Sequence, residues 1–244
     1  MQTATLIKVI PVTQTTTKRA HYALKESPNS SHHRILGLLP KPGERRRVLD
    51  VGAGTGELSL ILAGRGYEVT AVERYPLEDA AAGQIEFHQA DLDEGFPPLK
   101  GAYDWILCAD VLEHVREPQL LLRRLHALLT PGGVILASLP NSGHWYFRLH
   151  VLFGSFPQHD KGLFDRTHLH FFMWRNWVDL FQQAGYILDR PGVTAPPMEL
   201  RFPRSAGSLW LKCADTVSMA LATAWKELFA YQFIVVARPA VSGR

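Results

Sequence analysis

The sequence predicts an α/β fold built on a doubly wound, Rossmann-like sheet. Short apolar runs of strand length alternate with helical runs along most of the chain, and such alternation gives a parallel sheet with helices on both faces. The first strand passes through a glycine-rich turn into a helix, which is the opening of a βαβ unit. Acidic residues stand at the ends of the next strands, where ligands of such sheets bind.

The glycine-rich turn lies in residues 47–58, with the sequence RVLDVGAGTGEL. Gly52, Gly54 and Gly56 let the backbone approach a ligand and adopt dihedral angles that are closed to other residues. A dinucleotide fingerprint needs glycine where Glu57 stands, and a P-loop ends in Gly-Lys-Ser or Gly-Lys-Thr. The turn therefore predicts a different ligand, and a tight turn that binds nothing is the alternative.

The other elements of the N-terminal half follow from apolar runs and the residues that interrupt them. A helix is predicted over His32–Leu39, with Asn29, Ser30 and Ser31 as candidate N-caps and a proline-rich end at residues 40–43. Further strands are predicted at Tyr67–Val72, Gln84–Gln89, Tyr103–Ala109 and Val134–Leu139, and a helix at Pro118–Leu129 that Thr130-Pro131-Gly132-Gly133 ends.

The C-terminal half predicts fewer strands and longer connections. A helix over Trp174–Ala184 ends at Gly185, although Met173 stands where a capping serine or threonine is usual. Residues 191–205 are rich in proline and basic side chains and are expected to form a loop. The remaining predictions are a strand at Tyr186–Asp189, an apolar helix at Leu209–Phe229 and a last strand at Tyr231–Ala237.

Composition excludes several classes of function. The chain has 244 residues and a net charge of only +3, with scattered basic residues, so we expect no nucleic-acid partner. Cys108 and Cys213 make no metal-ligand spacing, and a reduced core thiol is expected at Cys108. No signal peptide and no membrane-spanning run are recognised, which predicts a cytoplasmic protein without an integral membrane segment.

Three motifs resemble those of class I S-adenosylmethionine (SAM) methyltransferases of the type 11 group. They are DVGAGTG at 50–56, DVLEHV at 110–115 and LTPGG at 129–133, and the resemblance covers about Asn29 to Leu139. It implies a seven-stranded sheet with six parallel strands, a last strand antiparallel between its neighbours and a helical insertion before it. It also implies an N-terminal arm at 1–28 and a methyltransferase domain at 29–244, with acceptor-side elements at about 140–182 and 191–230.

The same resemblance implies SAM as the cofactor and a set of residues that bind it. Glu73, at the end of the second strand, is expected to accept hydrogen bonds from the ribose hydroxyls, as an acidic residue does in dinucleotide sites. Asp91 is expected at the adenine amino group and Asp110 on the methionine side. A solvated strand-end carboxylate is the alternative at Glu73. The full set is Asp50, Gly52, Ala53, Gly54, Gly56, Glu73, Asp91, Leu92, Ala109, Asp110 and His114.

A divalent metal is a separate question at Asp110, Glu113 and His114. On a helix start these side chains lie at i, i+3 and i+4 and share one face. Ubiquinone-pathway O-methyltransferases resemble this segment, carry Glu at its first position and hold a divalent metal with the three residues. Asp110 is one carbon shorter, and hard cations prefer more oxygen ligands than this trio offers. We therefore expect no metal.

Methyl transfer from a sulfonium leaves a neutral group, so a general base is needed only where the acceptor must lose a proton. Histidine suits this role near neutral pH. His144 follows the fifth strand directly, and His168 lies two residues from His170, so that an extended backbone puts both on one face. His144 or His168 is the predicted base, and a histidine hydrogen-bonded within a loop is the alternative for each.

Two functions remain open from the sequence. The first is a SAM-dependent methyltransferase (EC 2.1.1 class) acting on a small-molecule acceptor, as an O-methyltransferase of a saccharide, lipid-linked or secondary-metabolite hydroxyl. The second is a SAM-binding regulatory subunit with little catalysis, because residues 139–157 resemble part of MetW-like proteins, which support an acyltransferase. The Leu209–Phe229 helix is predicted to be a lid or the surface of a homodimer.

Overall fold

A computed structural model describes residues 29–43, 46–77, 83–99, 101–189, 191–196 and 208–240. The predicted N-terminal arm, 1–28, lies outside these residues. The strands are β1 (Arg47–Val51), β2 (Glu68–Glu73), β3 (Glu86–Gln89), β4 (Tyr103–Ala109), β5 (Leu129–Pro140), β6 (Tyr186–Leu188), β7 (Gly192–Thr194) and β8 (Gln232–Pro239). The helices are α1 (Ser31–Leu38), α2 (Glu57–Gly64), α3 (Pro118–His126), α4 (Trp145–Leu152), α5 (Trp174–Gln183), α6 (Leu209–Ala224) and α7 (Lys226–Phe229).

The strands form one sheet in the order β3-β2-β1-β4-β5-β8-β6, with β7 also paired to β8. Neighbours from β3 to β5 are parallel, whereas β8 runs antiparallel to β5, β6 and β7. The predicted fold class, a doubly wound and mostly parallel sheet with an antiparallel last strand, is confirmed. The sheet has eight strands rather than seven, because residues 192–194, predicted to be loop, pair with β8.

Side-chain alternation along the strands sends apolar residues to both faces of the sheet. Leu49 and Val51 belong to one buried cluster, which Trp177 of α5 also joins, and Val48 belongs to the cluster on the other face. The indole of Trp177 is fully buried and its Nε1 donates a hydrogen bond to the carbonyl of Pro140, 3.0 Å away. Helices therefore cover both faces of the central strands, and β1, β4 and β5 are largely buried along their length.

Two boundaries differ from the sequence prediction. Residues 130–133 were expected to end a helix, but they belong to β5. The register between β4 and β5 shifts at these residues, between the pairs Tyr103–Leu129 and Trp105–Val134. The apolar helix expected at Leu209–Phe229 is divided at Trp225 into α6 and α7. None of the helices in the described part of the chain is long and apolar enough to cross a membrane.

The chain between β5 and α5 folds back over the carboxyl end of the sheet. Asn141, fully buried after β5, donates from Nδ2 to the carbonyl of Ala230 at 2.8 Å and accepts at Oδ1 from the Gly143 amide at 2.9 Å. These bonds fix the start of α4 against the end of α7. On its inner side α4 buries Phe147, which stacks on Phe164 with ring centroids 4.5 Å apart.

Candidate functional site

A cavity of about 1200 Å³ lies at the carboxyl ends of β1, β2 and β4. In the sheet, β2 and β3 lie on one side of β1, and β4 and β5 lie on its other side. The strand order therefore reverses beside β1, and the cavity lies at this topological switch point. The predicted cofactor residues line the cavity with the exception of Gly56, which is the N-cap of α2. Most of the residues that the sequence predicts to bind the cofactor therefore lie around this one cavity.

The glycine turn supplies an open floor to the cavity. Gly52, Gly54 and Gly56 have positive φ angles of 71°, 59° and 82°, a region that favours glycine. A Cβ on Gly52 would lie 2.6 Å from Cγ2 of Val111, whereas a Cβ on Gly54 would meet nothing within 4 Å. Gly52 is thus required by packing, and Gly54 leaves room for a ligand close to the backbone.

Two carboxylates stand at the rim beside this turn. Glu73 Oε2 accepts from the Gly54 amide at 2.9 Å, and its Oε1 accepts from the Tyr75 amide at 3.2 Å. Asp91 Oδ2 lies 3.1 Å from Nε of Arg74, and its Oδ1 accepts from the Asp93 amide at 3.1 Å. Both carboxylates therefore face the cavity from fixed positions on β2 and after β3.

Asp50 lies beneath the turn rather than at the rim. Its side chain is 1% exposed, and Ser59 Oγ of α2 donates to its Oδ2 at 2.6 Å. Burial raises the pKa of Asp50 to about 6, with the hydrogen bond from Ser59 acting in the opposite direction and the charge of Glu73 adding to the rise. Asp50 links the end of β1 to α2 and so holds the turn in shape.

Asp110 follows β4 in a backbone conformation with φ 57°, which is unusual for a residue other than glycine. Its Oδ1 accepts from Ser138 Oγ at 2.6 Å and from Gln232 Nε2 at 2.5 Å, and its Oδ2 accepts from Ser31 Oγ at 3.2 Å. The Asp110 amide donates to Ser138 Oγ at 2.9 Å. These contacts come from α1, β5 and β8 and offset the cost of the strained backbone.

The trio Asp110, Glu113 and His114 is not the set that the structure brings together. Leu112–His114 form one turn of 3-10 helix, and ligand atoms of Glu113, His114 and His168 lie within 4.8 Å of one another. His168 replaces Asp110 because the Asp110 carboxylate is held by its hydrogen bonds elsewhere. Two imidazoles and one carboxylate are the donors that transition metals such as Zn²⁺ or Fe²⁺ accept.

His168 lies beside Glu113 and His114, and it is next to the cavity-lining Thr167 without lining the cavity itself. Its Nε2 is 4.0 Å from Glu113 Oε1, and its ring centroid is 4.7 Å from that of His114, which lines the cavity. Burial, with a smaller contribution from the neighbouring His114, lowers the pKa of His168 to about 4. At neutral pH His168 is therefore an uncharged imidazole, and a weaker proton acceptor than a histidine in water.

His144, the other candidate base, does not line the cavity either. It is 2% exposed and is the N-cap of α4, where its Nδ1 accepts from the Tyr146 amide at 3.3 Å. Burial lowers its pKa to about 4, so the ring is neutral with its proton on Nε2. That Nε2 is buried and has no hydrogen-bond partner among the residues that the structure describes.

Four further cavity-lining residues were not singled out from the sequence, although they lie within the predicted acceptor-side elements at about 140–182. Asp160, Lys161, Arg166 and Thr167 line the cavity, although they lie far along the chain from the strand ends. The run FDRTHLHFF at 164–172 was the only available signal. Its position is fixed by backbone bonds from Leu169 and His170 to the Glu113 carbonyl, at 2.8 and 3.2 Å.

The strand order, the antiparallel strand beside β5 and the cavity at the glycine turn define the class I methyltransferase type of α/β domain. Sequence comparison agrees, because a family model described as a methyltransferase domain matches residues 20–189. The chain belongs to this methyltransferase family, and the predicted membership of the class I methyltransferases is confirmed.

Curated relatives match a shorter part of the chain. The ubiquinone biosynthesis O-methyltransferase of Pseudomonas aeruginosa strain LESB58 is 34% identical over 104 residues, which is 39% of this chain and 45% of the relative. The protein of the same name from Xanthomonas euvesicatoria pv. vesicatoria is 33% identical over 114 residues, 43% of this chain and 48% of the relative. The chain thus spans about half the length of the curated relatives it matches.

Solved structures resemble the whole fold. The 1,6-didemethyltoxoflavin-N1-methyltransferase of Burkholderia thailandensis, solved with its substrate and S-adenosylhomocysteine, superposes with a TM-score of 0.56 at 17% identity, covering 87% of this chain and 79% of that chain. A methyltransferase structure from Bacillus halodurans gives 0.56 at 18% identity, covering 86% and 99%. At these identities the likeness shows the fold alone, and the local resemblance to MetW-like proteins stays a prediction.

Proposed function

We propose that this chain transfers the methyl group of SAM to a hydroxyl group of a small-molecule acceptor of the saccharide, lipid-linked or secondary-metabolite class. The observation that carries the proposal is the cavity floored by the glycine turn and lined by Glu73, Asp91 and Asp110, with the neutral His168 packed behind its lining residue His114. A cavity of about 1200 Å³ exceeds the usual size of a single-ligand pocket, about 300–1000 Å³, and so has room for a cofactor and an acceptor.

The residues at the strand ends fit SAM. Gly54 leaves open space above the backbone, and Glu73 holds two carboxylate oxygens at the rim, where ribose hydroxyls can donate to them. In this proposal Asp91 and the backbone of Leu92 receive the adenine, and Asp110 and His114 lie on the methionine side, with Ala53 and Ala109 between. When bound, SAM supplies an electrophilic methyl group and a neutral thioether leaving group.

We assign the base role to His168. A hydroxyl acceptor loses its proton as it attacks the methyl group, and a neutral imidazole within hydrogen-bond reach can receive that proton. Glu113 Oε1, 4.0 Å from His168 Nε2, would stabilise the imidazolium that forms. His144 is the weaker candidate, because its Nδ1 lone pair is taken by the Tyr146 amide and its Nε2 carries the proton.

The names of the curated relatives support transfer to oxygen, since both are O-methyltransferases of ubiquinone biosynthesis. The toxoflavin-type neighbour, in contrast, methylates a ring nitrogen on the same fold. Fold likeness therefore does not choose the acceptor atom. In this proposal the neutral imidazole of His168 favours a hydroxyl acceptor, which must be deprotonated.

Calorimetric titration with SAM, S-adenosylhomocysteine and NAD tests the cofactor half. We expect micromolar binding of the two sulfur ligands, no binding of NAD, and at least tenfold weaker binding of SAM by Glu73→Ala. Glu94→Gln, an exposed carboxylate change near the same rim, is the matched control and is expected to bind normally. Absence of SAM binding in the unmodified chain would contradict the proposal.

Release of S-adenosylhomocysteine from SAM with a panel of saccharide, lipid-linked and phenolic acceptors tests the chemistry. For an accepted substrate, His168→Ala is expected to lower kcat by about 10²–10⁴, with SAM affinity retained. His126→Ala, a histidine on α3 beside Tyr186, is the control and leaves kcat unchanged. An unchanged kcat and pH profile in His168→Ala would remove the base role.

A further inference from the structure

Gln232 is a buried polar residue at the start of β8, whose next five residues, 233–237, are aliphatic or aromatic. A buried amide needs hydrogen-bond partners for both its nitrogen and its oxygen. Nε2 of Gln232 donates to Asp110 Oδ1 at 2.5 Å, and Oε1 accepts from Thr194 Oγ1 of β7 at 3.4 Å. Asp110 lines the cavity and Gln232 does not, so Gln232 acts on a bound ligand only through Asp110.

The register of the sheet brings Gln232 to Asp110. Gln232 pairs with Pro140 of β5, and therefore lies on the same face of the sheet as Ser138, two residues before Pro140. On its other side Ser138 pairs with Ala109, the last residue of β4, which Asp110 follows directly. The side chain of Gln232 thus reaches from β8 past β5 to the end of β4.

The chemistry of Asp110 determines which end of the Gln232 amide faces it. An ionised carboxylate only accepts hydrogen bonds, so it would repel Oε1 at this distance, whereas Nε2 donates to it. The hydroxyl of Thr194 can donate or accept and is compatible with either orientation. Ser138 Oγ and Ser31 Oγ also donate to Asp110, to Oδ1 at 2.6 Å and to Oδ2 at 3.2 Å. These three donors are uncharged, so they orient the carboxylate without neutralising it.

We propose that Gln232 is a positioning residue for the cofactor. By holding Oδ1 of Asp110, it directs this carboxylate toward the cavity, where the carboxylate receives the positively charged amino group of the methionine part of SAM. A contact between a carboxylate and an ammonium group is a charge-assisted hydrogen bond, about twice as strong as a neutral one. The inference rests on the proposed function, because it requires SAM in the cavity.

A purely structural role is the alternative for Gln232, since its two hydrogen bonds join β8 to β7 and to the turn after β4. Loss of such a role would weaken the site for every ligand that contains adenosine. Loss of a positioning role, in contrast, weakens only ligands that carry the amino group. The two roles therefore predict different results with two ligands that differ in this group.

Calorimetric titration of the full chain with S-adenosylhomocysteine and 5′-methylthioadenosine separates the two roles. The second ligand has the adenosine and the thioether of the first but lacks its amino-acid group. Gln232→Met keeps the length of the side chain and removes the donor, so it should bind S-adenosylhomocysteine at least tenfold more weakly and 5′-methylthioadenosine normally. Tyr186→Phe, which also removes a buried hydrogen bond, is the matched control and should bind both ligands normally.

A second variant, Gln232→Glu, keeps the shape of the side chain and makes its donor dependent on pH. Its carboxyl group replaces an amide that lies 2.5 Å from Asp110 Oδ1, and two carboxylates so close do not readily ionise together. At pH 5.5 the pair holds a proton, and the new O–H donates to Asp110 as the amide does. Toward pH 8.5 the proton is lost and the like charges repel. The dissociation constant of S-adenosylhomocysteine, divided by that of the unmodified chain, should rise at least tenfold between these pH values.

The titratable groups around Asp110 are the same in the variant and in the unmodified chain. The charge of Asp110 acts on His168 and on Tyr231, which precedes β8. Burial lowers the pKa of His168 to about 4 and raises that of Tyr231 to about 12, so both stay uncharged from pH 5.5 to 8.5. Dividing the two dissociation constants removes the contribution of these groups and of the ligand. Other titratable side chains beside them or on the cavity wall are His32, Glu113, His114 and Asp165.

The outcomes separate this inference from the proposed function. Equal weakening of both ligands in Gln232→Met, normal binding of both, or a ratio for Gln232→Glu that does not rise with pH would overturn the positioning role. In each of these cases the unmodified chain still binds S-adenosylhomocysteine, and the proposed function stands. Absence of S-adenosylhomocysteine binding in the unmodified chain would overturn both.

Discussion

Replacing Asp50 by Asn should stabilise the protein at neutral pH, although Asp50 is fully buried beside the glycine turn. The pKa of Asp50 is raised from 3.8 to about 6 because burial penalises the charged form. At about 1.36 kcal/mol per pKa unit, this difference costs about 3 kcal/mol of unfolding free energy when the carboxylate is ionised. Asn removes the charge and keeps an oxygen that can accept from Ser59.

The pH dependence fixes the sign of the effect. A carboxyl group whose folded pKa is raised contributes stability that is fully present below its unfolded pKa, near 3.8, and is lost as pH rises through about 6. Asp50→Asn should therefore match the unmodified chain near pH 4 and exceed it above pH 6. The expected gain at pH 7 is about 1–3 kcal/mol, since the Asn amide hydrogens need partners of their own.

Urea unfolding from pH 4 to pH 7.5, followed by tryptophan fluorescence, measures the difference between the two proteins. Ser59→Ala provides the opposite change, because it removes the donor to Asp50 Oδ2 and leaves the buried carboxylate without that bond. It should destabilise the chain by about 1–3 kcal/mol at pH 7. A difference curve that stays flat across this range, or an Asn variant less stable at pH 7, would refute the reasoning.

Two further predictions concern the turn and the core. Gly54→Ala should fold with a loss of about 1 kcal/mol, because its φ is 59° and its Cβ meets nothing, yet bind SAM at least tenfold more weakly by titration. Gly52→Ala, whose Cβ would lie 2.6 Å from Val111 Cγ2, should lose more unfolding free energy than Gly54→Ala when both are unfolded in urea. Trp177→Phe removes the hydrogen bond to Pro140 and leaves a cavity, and should cost about 2–4 kcal/mol; a loss below about 1 kcal/mol would contradict this.

The strands β1 and β4 could be predicted because their runs are mostly apolar and are followed by Gly52 and Asp110. β4 has the predicted bounds, Tyr103–Ala109, for this reason. The predicted start of β5, Val134, was wrong. The sequence Thr130-Pro131-Gly132-Gly133 is typical of a helix end, but in the sheet these residues belong to β5 and shift its register against β4. β7 was missed because three residues in a proline-rich stretch become a strand only through pairing with β8.

The cofactor side of the site was accessible to sequence reasoning because its residues follow the strand ends, and parallel strands bring those ends together. The acceptor side was not. His168 meets Glu113 only because a segment more than fifty residues later crosses the 3-10 turn. His144 does follow the fifth strand, as expected, but its ring turns inward to cap α4, a choice of side-chain rotamer that sequence does not reveal.

Several hydrogen bonds join the segment at 164–172 to the turn after β4. The amides of Leu169 and His170 donate to the Glu113 carbonyl, His170 Nε2 donates to the Val115 carbonyl at 2.8 Å, and His114 Nδ1 lies 3.1 Å from the Thr167 carbonyl. The residues between them carry His168 into the cluster with Glu113. Because the turn after β4 also carries Asp110 and His114 into the cavity, any displacement of the acceptor-side segment must alter the cofactor-side turn. The position of the proposed base and that of the proposed cofactor residues Asp110 and His114 are therefore set by the same short stretch of backbone.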